Sequence, residues 1–270
     1  TLWPASLFLW QGMYFAFRER KTAIVKFLLA WIVPVWIFFE LMPTKLPQYI
    51  LPTFPAIAIL CALAVTTQYR KNKPGKWLHF LQGLWILLSL CLAAVLLTLP
   101  YLLLHQLTVT AVFLFVFLCL MSFMAGYLAW LGAYQRASVA VLLMAVIAYP
   151  VIFSSLLPSL KPLWIARNVA LKIPKETLSD DAPLLVVGYA EPSIVFYLNT
   201  NKVKFATMDD ALARLNAKPD ASVLIERSVF IKMPKRGIKI VSHVHGYNYS
   251  KGKTVKLLLI KKLTQEENEL

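Results

Sequence analysis

Apolar residues fill the first 159 positions in long runs broken by short polar stretches. Runs over about residues 1–17, 24–42, 50–67, 77–99, 109–131 and 137–157 reach or approach the roughly 20 residues a helix needs to cross hydrocarbon. They predict six membrane spans, the first only just long enough. The breaks alternate in charge. Arg18-Glu19-Arg20-Lys21 with Lys26 beyond, then Arg70-Lys71-Asn72-Lys73-Pro74-Gly75-Lys76, then Gly132 to Arg136, carry cations, whereas the connection at His105-Gln106 is nearly uncharged. Lysine and arginine in short loops mark the cytoplasmic side. The break from Glu40 to Pro55 and everything after Leu160 are therefore expected on the outside.

Beyond residue 160 the long runs give way to short ones with turn signals between them. Leu184 to Val187 is an apolar strand ending at Gly188. Glu191 to Leu198 reads as a helix with Pro192 in its first turn, where a missing N–H costs nothing. Met208 to Leu215 reads as a second helix, capped by Thr207, with Asp209 and Asp210 in the first turn. Val223 to Ile225 is another strand, and Ile238 to His245 with Lys253 to Ile260 form a hairpin around Tyr247 to Gly252. The expected fold is a polytopic α-helical membrane domain of about six spans (residues 1–159) followed by a small extracytoplasmic α/β domain (residues 160–270).

Composition sharpens this division. Of the 270 residues 59% are hydrophobic, too many for an ordinary water-soluble domain. Residues 1–159 hold ten Lys/Arg and two acids, and residues 160–270 hold eighteen and eleven. The net charge of +15 does not argue for nucleic acid, because much of the membrane part's excess sits in topology-setting loops and no basic stripe stands out. A basic tail is no obstacle to an outside location, since long domains translocate largely regardless of charge. Cys61, Cys91 and Cys119 all lie in apolar runs and read as small buried hydrophobes; no metal or disulfide spacing is present. The chain opens at Thr1 inside an apolar run without a charged leader, so Thr1 reads as an internal cut in a longer polytopic protein or the start of a truncated product.

The chemistry concentrates in the break from Glu40 to Pro55, ELMPTKLPQYILPTFP. Lys45 is open to two readings. One is a snorkelling anchor at a span end. The other is an anion site, with Pro43 and Pro47 keeping the backbone out of a regular helix and leaving N–H groups free to face a ligand. Tyr49 adds an amphipathic ring and a hydroxyl at the same depth, and Pro52 and Pro55 bend the start of the next span and widen a lateral groove. A lipid phosphate suits that geometry better than a soluble anion. Glu40 is either the ion-pair partner of Lys45 or a contact to a sugar or divalent ion.

Other residues carry less. His243 and His245 share one face of a strand, but two ligands without a third are thin as a metal site, and a structural role is expected. His79 and His105 lie at opposite interfaces. Gly188, with no further glycine nearby, makes no phosphate loop. Glu191 is expected to serve a helix terminus rather than an acceptor, and Asn248-Tyr249-Ser250 reads as an accidental glycosylation pattern.

The run TKLPQYILPTFPAIAIL resembles the signature of bacterial membrane glycosyltransferases of family 39, the group that includes lipid A aminoarabinose transferases and relatives of protein O-mannosyltransferases. The segments GYAEPSIVFYLNT (Gly188 to Thr200) and GYNYSKG (Gly246 to Gly252) are similar to segments that end such proteins. The resemblance covers nearly the whole chain but only about the C-terminal half of such an enzyme. It implies a C-type transferase that takes a sugar from a polyprenyl-phosphate carrier and passes it to an envelope acceptor (lipid A, protein or glycan) on the outer side of the bacterial inner membrane. It places Lys45 and Tyr49 near the carrier phosphate. The family's acidic catalytic residues lie in a first outside loop that nothing here matches, so they are expected upstream of Thr1, and the chain alone is expected to be inactive. No cofactor is implied, although a divalent cation would be compatible. The competing expectation, from a different class, is a non-catalytic carrier-binding or transporter subunit that keeps the phosphate groove. An acidic pair upstream would favour the enzyme.

Overall fold

The computed structural model describes residues 2–43, 46–67, 75–173, 178, 183–199, 201–218, 221–234, 237–248 and 251–263. The chain divides into two compact units, Thr1–Pro158 and Ser159–Leu270.

In the first unit a 3-10 turn, Ala5–Phe8, leads into α1 (Leu9–Arg18). Then follow α2 (Ala23–Leu41), α3 (Phe54–Thr67), α4 (Lys76–Leu104), α5 (Val109–Trp130) and α6 (Tyr134–Val151), which continues through a π turn, Ile152–Leu156, into the short α7 (Leu157–Ser159). Among the described residues five helical stretches are long and apolar enough to cross a membrane: Ala23–Leu41, Gln48–Thr66, Lys76–Leu104, Val109–Trp130 and Tyr134–Ser159. The first apolar run is not among them. Pro4 and the 3-10 turn interrupt it, and α1 has only 10 residues.

These helices turn large side chains outward and small ones inward. Phe38, Leu87, Leu120 and Leu142 are all more than half exposed, the reverse of a water-soluble bundle and the pattern expected of a lipid-facing surface. The inner stripe of α5 is Ala111, Leu114, Leu118, Ser122, Ala125 and Ala129, at helical spacing. It meets Ala93 of α4 and Ala137, Ala140, Met144 and Ala148 of α6 within one apolar cluster. Small residues let helix backbones approach closely where no water drives association. A side chain at Gly126 would meet Ile86 at 2.4 Å. Several polar groups inside are paired: Trp3 Nε1 donates to Ser89 Oγ at 2.8 Å, Trp85 Nε1 to Ser6 Oγ at 3.2 Å, and Gln82 Nε2 to the Ala129 carbonyl at 3.2 Å.

The second unit is a five-stranded mixed sheet covered on both faces. Its strands are β1 (Leu184–Val187), β2 (Val203–Phe205), β3 (Ser222–Glu226), β4 (Ile238–Asn248) and β5 (Lys253–Lys262), in the order β2-β1-β3-β5-β4. β1 pairs in parallel with β2 and β3, and β5 pairs antiparallel with β3 and β4. Alternation sorts the two faces. Leu184, Val186, Leu257 and Leu259 pack with Ile165 and Val169 of α8 (Ile165–Ala170) and Ile194 and Leu198 of α9 (Ser193–Leu198). Leu185, Val187, Leu258 and Ile260 pack with Ala211 and Leu215 of α10 (Met208–Ala217) and Phe230 of α11 (Arg227–Phe230). Burial on both faces explains the unbroken apolar run of β1. Gly246 is a site of close approach, where an added Cβ would sit 2.3 Å from Ile165 Cγ1 and 2.7 Å from the Pro162 carbonyl.

Candidate functional site

The Glu40 to Pro55 break is a bend between two apolar helices. α2 ends at Leu41, and Met42 turns extended at ψ 136°. The chain re-enters through a seven-residue 3-10 helix, Pro47–Thr53, that opens on Pro47 and carries Pro52 inside. Proline supplies the fixed φ and removes the N–H groups that an α-helix would need there. A 3-10 stretch this long is uncommon. The Thr53 hydroxyl donates to the Ile50 carbonyl at 2.7 Å, and Thr53 is fully buried.

Tyr49 is half-buried and stacks on Phe39, with ring centroids 4.8 Å apart and planes 22° apart. Phe39 precedes Glu40, which is exposed in the last turn of α2. The stack therefore brings Tyr49 to the turn that carries Glu40, two of the three residues singled out from the sequence. Lys45, the third, lies with Thr44 outside the described residues. At the far end of α3, about 20 Å away at 1.5 Å per residue, Val65 and Thr66 line a recess with Gly132 and Arg136. The cations Lys76 and Arg136 thus gather at the end opposite the bend, where His79 stacks on Trp130 at 4.3 Å. Between the two ends an apolar cleft of about 290 Å³ is bounded by Pro4 and Phe8, by Cys61 and Val65 of α3, and by Val141 and Leu142 of α6.

The second unit joins the two tail segments that the sequence kept 57 residues apart. Asn248 Nδ2 donates to Glu191 Oε1 at 2.7 Å, and Asn248 Oδ1 accepts from the Lys251 backbone N–H at 3.1 Å. Ser193 Oγ donates to Glu191 Oε2 at 3.5 Å. Glu191 does stand just ahead of α9, as expected, but its carboxylate acts as a cross-link to β4. No spacing rule signals that pairing. Asn248 is 3% exposed, so its amide is committed inside the fold; Tyr249 and Ser250 lie outside the described residues. Among those residues no group of three or more His, Cys, Asp or Glu is placed to hold a metal. His79 and His105 sit at the two ends of α4, about 40 Å apart along the helix.

Apolar helices with small-residue interfaces, followed by a mixed sheet domain, form a fold that solved structures share. Among the solved structures that it resembles are two of ArnT from Cupriavidus metallidurans. The apo form matches with a TM-score of 0.55 at 17% identity, and the form bound to undecaprenyl phosphate with 0.56 at 19%. Each covers 93% of this chain and 48% of that one, so the chain spans about half the length of its structural relatives. Two curated relatives are an undecaprenyl phosphate-alpha-4-amino-4-deoxy-L-arabinose arabinosyl transferase 2 from Sodalis glossinidius, 45% identical over 71 residues, and a transferase of the same kind from Wigglesworthia glossinidia brevipalpis, 39% identical over 71. Each stretch is 26% of this chain and 13% of the relative. An uncharacterized protein of Aquifex aeolicus is 29% identical over 90 residues, 33% of this chain and 18% of that protein. No family model matches.

Proposed function

We propose that this chain forms part of a membrane glycosyltransferase that moves a sugar from a polyprenyl-phosphate carrier to an envelope acceptor at the outer face of the bacterial inner membrane. The observation that carries the reading is the fold shared, over 93% of the chain, with an ArnT structure bound to undecaprenyl phosphate. Residues 1–159 are the transmembrane core, with α1 and its preceding turn as a sixth crossing segment, and residues 160–270 are the extracytoplasmic domain. The bend at Glu40 to Pro55 receives the carrier phosphate. Lys45 supplies the charge, Tyr49 a ring and hydroxyl braced by Phe39, and Glu40 either pairs with Lys45 or contacts the sugar. Breaking a sugar–phosphate bond builds negative charge on the leaving phosphate, and a fixed cation there favours the transition state over the ground state. The acidic groups that activate the acceptor have no match in this sequence.

Two measurements test the reading. In nanodiscs the 270-residue chain should bind undecaprenyl phosphate, and Lys45→Ala should weaken that binding while membrane insertion persists. With the catalytic acids supplied by a longer parent protein, the same change should cost ~2–4 kcal/mol of barrier, about 30- to 1,000-fold in rate. Transfer within about twofold of the unsubstituted protein, well under 1 kcal/mol, would remove Lys45 from the mechanism. Sugar transfer by the 270 residues alone would overturn the claim that the activating acids lie elsewhere.

A further inference from the structure

The second unit carries a cationic cleft that the carrier-phosphate reading does not use. It opens beside the β4–β5 hairpin, on the sheet face that α11 covers only in part. His243 and His245 alternate along β4, with ring centroids 6.4 Å apart. The cross-strand partner of His245 is Lys256, and that of His243 is Leu258. Arg227 enters from α11, and the cleft holds about 330 Å³. Leu258 and Phe230 form its buried floor, and Ile231 and Ile240 are exposed at its rim.

Among the described residues, the titratable groups that act on His245 are Lys256, His243, Lys172 and Arg227, every one of them basic. Burial first, and then these cations, hold its pKa below the ordinary histidine value. Lys172 is fixed in place, because its Nζ donates to the His243 carbonyl. Glu226, the acid next to Arg227 in the chain, is turned elsewhere: Ser228 Oγ donates to Glu226 Oε1 at 2.8 Å, and Glu226 Oε2 lies near Gly188. Like charges directly opposite on neighbouring strands destabilise a sheet. A cleft that gathers one sign of charge against an apolar wall concentrates counter-ions.

We infer that this cleft of the second unit is a binding site for a phosphate group bearing a small organic substituent. Arg227 offers a planar fork suited to two phosphate oxygens, and Lys256 a second fixed charge. The substituent lies against Ile231 and Ile240. His245 supplies a third, titratable donor. An anion stabilises its protonated form, so binding raises its pKa; affinity tightens as pH falls through the raised bound-state value and levels off below the free-state value, which lies under the ordinary histidine value. Lys172 disfavours protonation of His245 when the site is empty, and a bound anion offsets that charge.

The test uses the full chain in phosphatidylcholine nanodiscs and calorimetric titration with inorganic phosphate, phenyl phosphate and dihexanoyl phosphatidic acid. Saturable binding of at least one probe is expected, and Arg227→Gln and Lys256→Gln should each weaken it about tenfold, the size of one lost charge-assisted contact. Both side chains are exposed, so folding should survive; Lys204→Gln on β2 at the opposite sheet edge is the control and should change nothing. The ratio of affinities between the unsubstituted chain and His245→Gln should be several-fold larger at about pH 5.5 than at about pH 7.5, either side of the ordinary histidine value. Binding of phenyl phosphate comparable with that of the lipid assigns the site to soluble phosphates; binding of the lipid alone assigns it to headgroups. Absence of saturable binding by every probe, or Arg227→Gln and Lys256→Gln variants that bind like the unsubstituted chain, would overturn the site. Neither result depends on Lys45, so failure here leaves the carrier-phosphate reading standing.

Discussion

Cutting the link between Glu191 and Asn248 should loosen the hairpin of the second unit without unfolding the helices of the first. Asn248 is 3% exposed, and its two polar atoms are both engaged, Nδ2 with Glu191 at 2.7 Å and Oδ1 with the Lys251 N–H at 3.1 Å. Glu191→Ala leaves a buried amide donor unpaired, which costs ~1–3 kcal/mol. Because Glu191 is only half-buried, solvent screens the charged part of the bond and the lower half of that range applies, ~1–2 kcal/mol. Glu191→Gln keeps an acceptor but removes its charge, and should cost about half as much. Asn248→Ala loses both the cross-link and the turn contact, and should cost ~2–3 kcal/mol. The double variant should cost less than the sum of the singles, with a coupling of ~1–2 kcal/mol. Hydrogen exchange on the full chain in detergent, read over β4 and β5, converts these costs into faster local opening, roughly five- to thirtyfold for 1–2 kcal/mol. Additive effects of Glu191→Ala and Asn248→Ala would refute the reasoning, because they would mean that the two segments do not hold each other.

Gly246→Ala should destabilise β4 against α8 by ~1–3 kcal/mol through overpacking, since the new methyl would stand 2.3 Å from Ile165 Cγ1 and 2.7 Å from a backbone oxygen; exchange protection of α8 unchanged by the substitution would count against it. At the start of α10, Thr207 and Asp210 form a reciprocal cap in which Thr207 Oγ1 donates to Asp210 Oδ2 at 2.6 Å. The side-chain bond first, then the Thr207 backbone N–H, hold the Asp210 carboxyl below its ordinary 3.8. Its folded pKa is depressed, so its contribution to stability is present above 3.8 and is lost as pH falls through the folded value. Thr207→Ala should move the Asp210 titration back up toward that value, as followed by NMR of the carboxyl carbon.

Some of this was legible in the primary structure and some was not. The long apolar runs could be placed to within a few residues because lipid imposes a simple rule: every backbone polar group must be satisfied within the segment, so apolar length translates into helix. α2, α4 and α5 lie close to their expected bounds for that reason. Strand β2 escaped notice. Its three residues, Val203–Phe205, are too short for a period-two pattern, and only pairing with β1 makes them a strand. α8 was missed too, because its apolar stripe has meaning only against the sheet face it covers. Apolar length alone does not register the interruption of the first run, where Pro4 and a 3-10 turn follow Trp3.

The sequence alone determined the division into an apolar half and a more polar half, and the break between apolar runs at Glu40 to Pro55. These follow from local composition, transfer free energy and proline geometry, which need no partner across the fold. Only the tertiary structure decided which distant groups meet: Tyr49 with Phe39, Glu191 with Asn248, and Arg227 with Lys256 and the two histidines. Contacts of that kind depend on strand register and on how helices cover a sheet, and a single residue of slip would turn His243 and His245 to the opposite face.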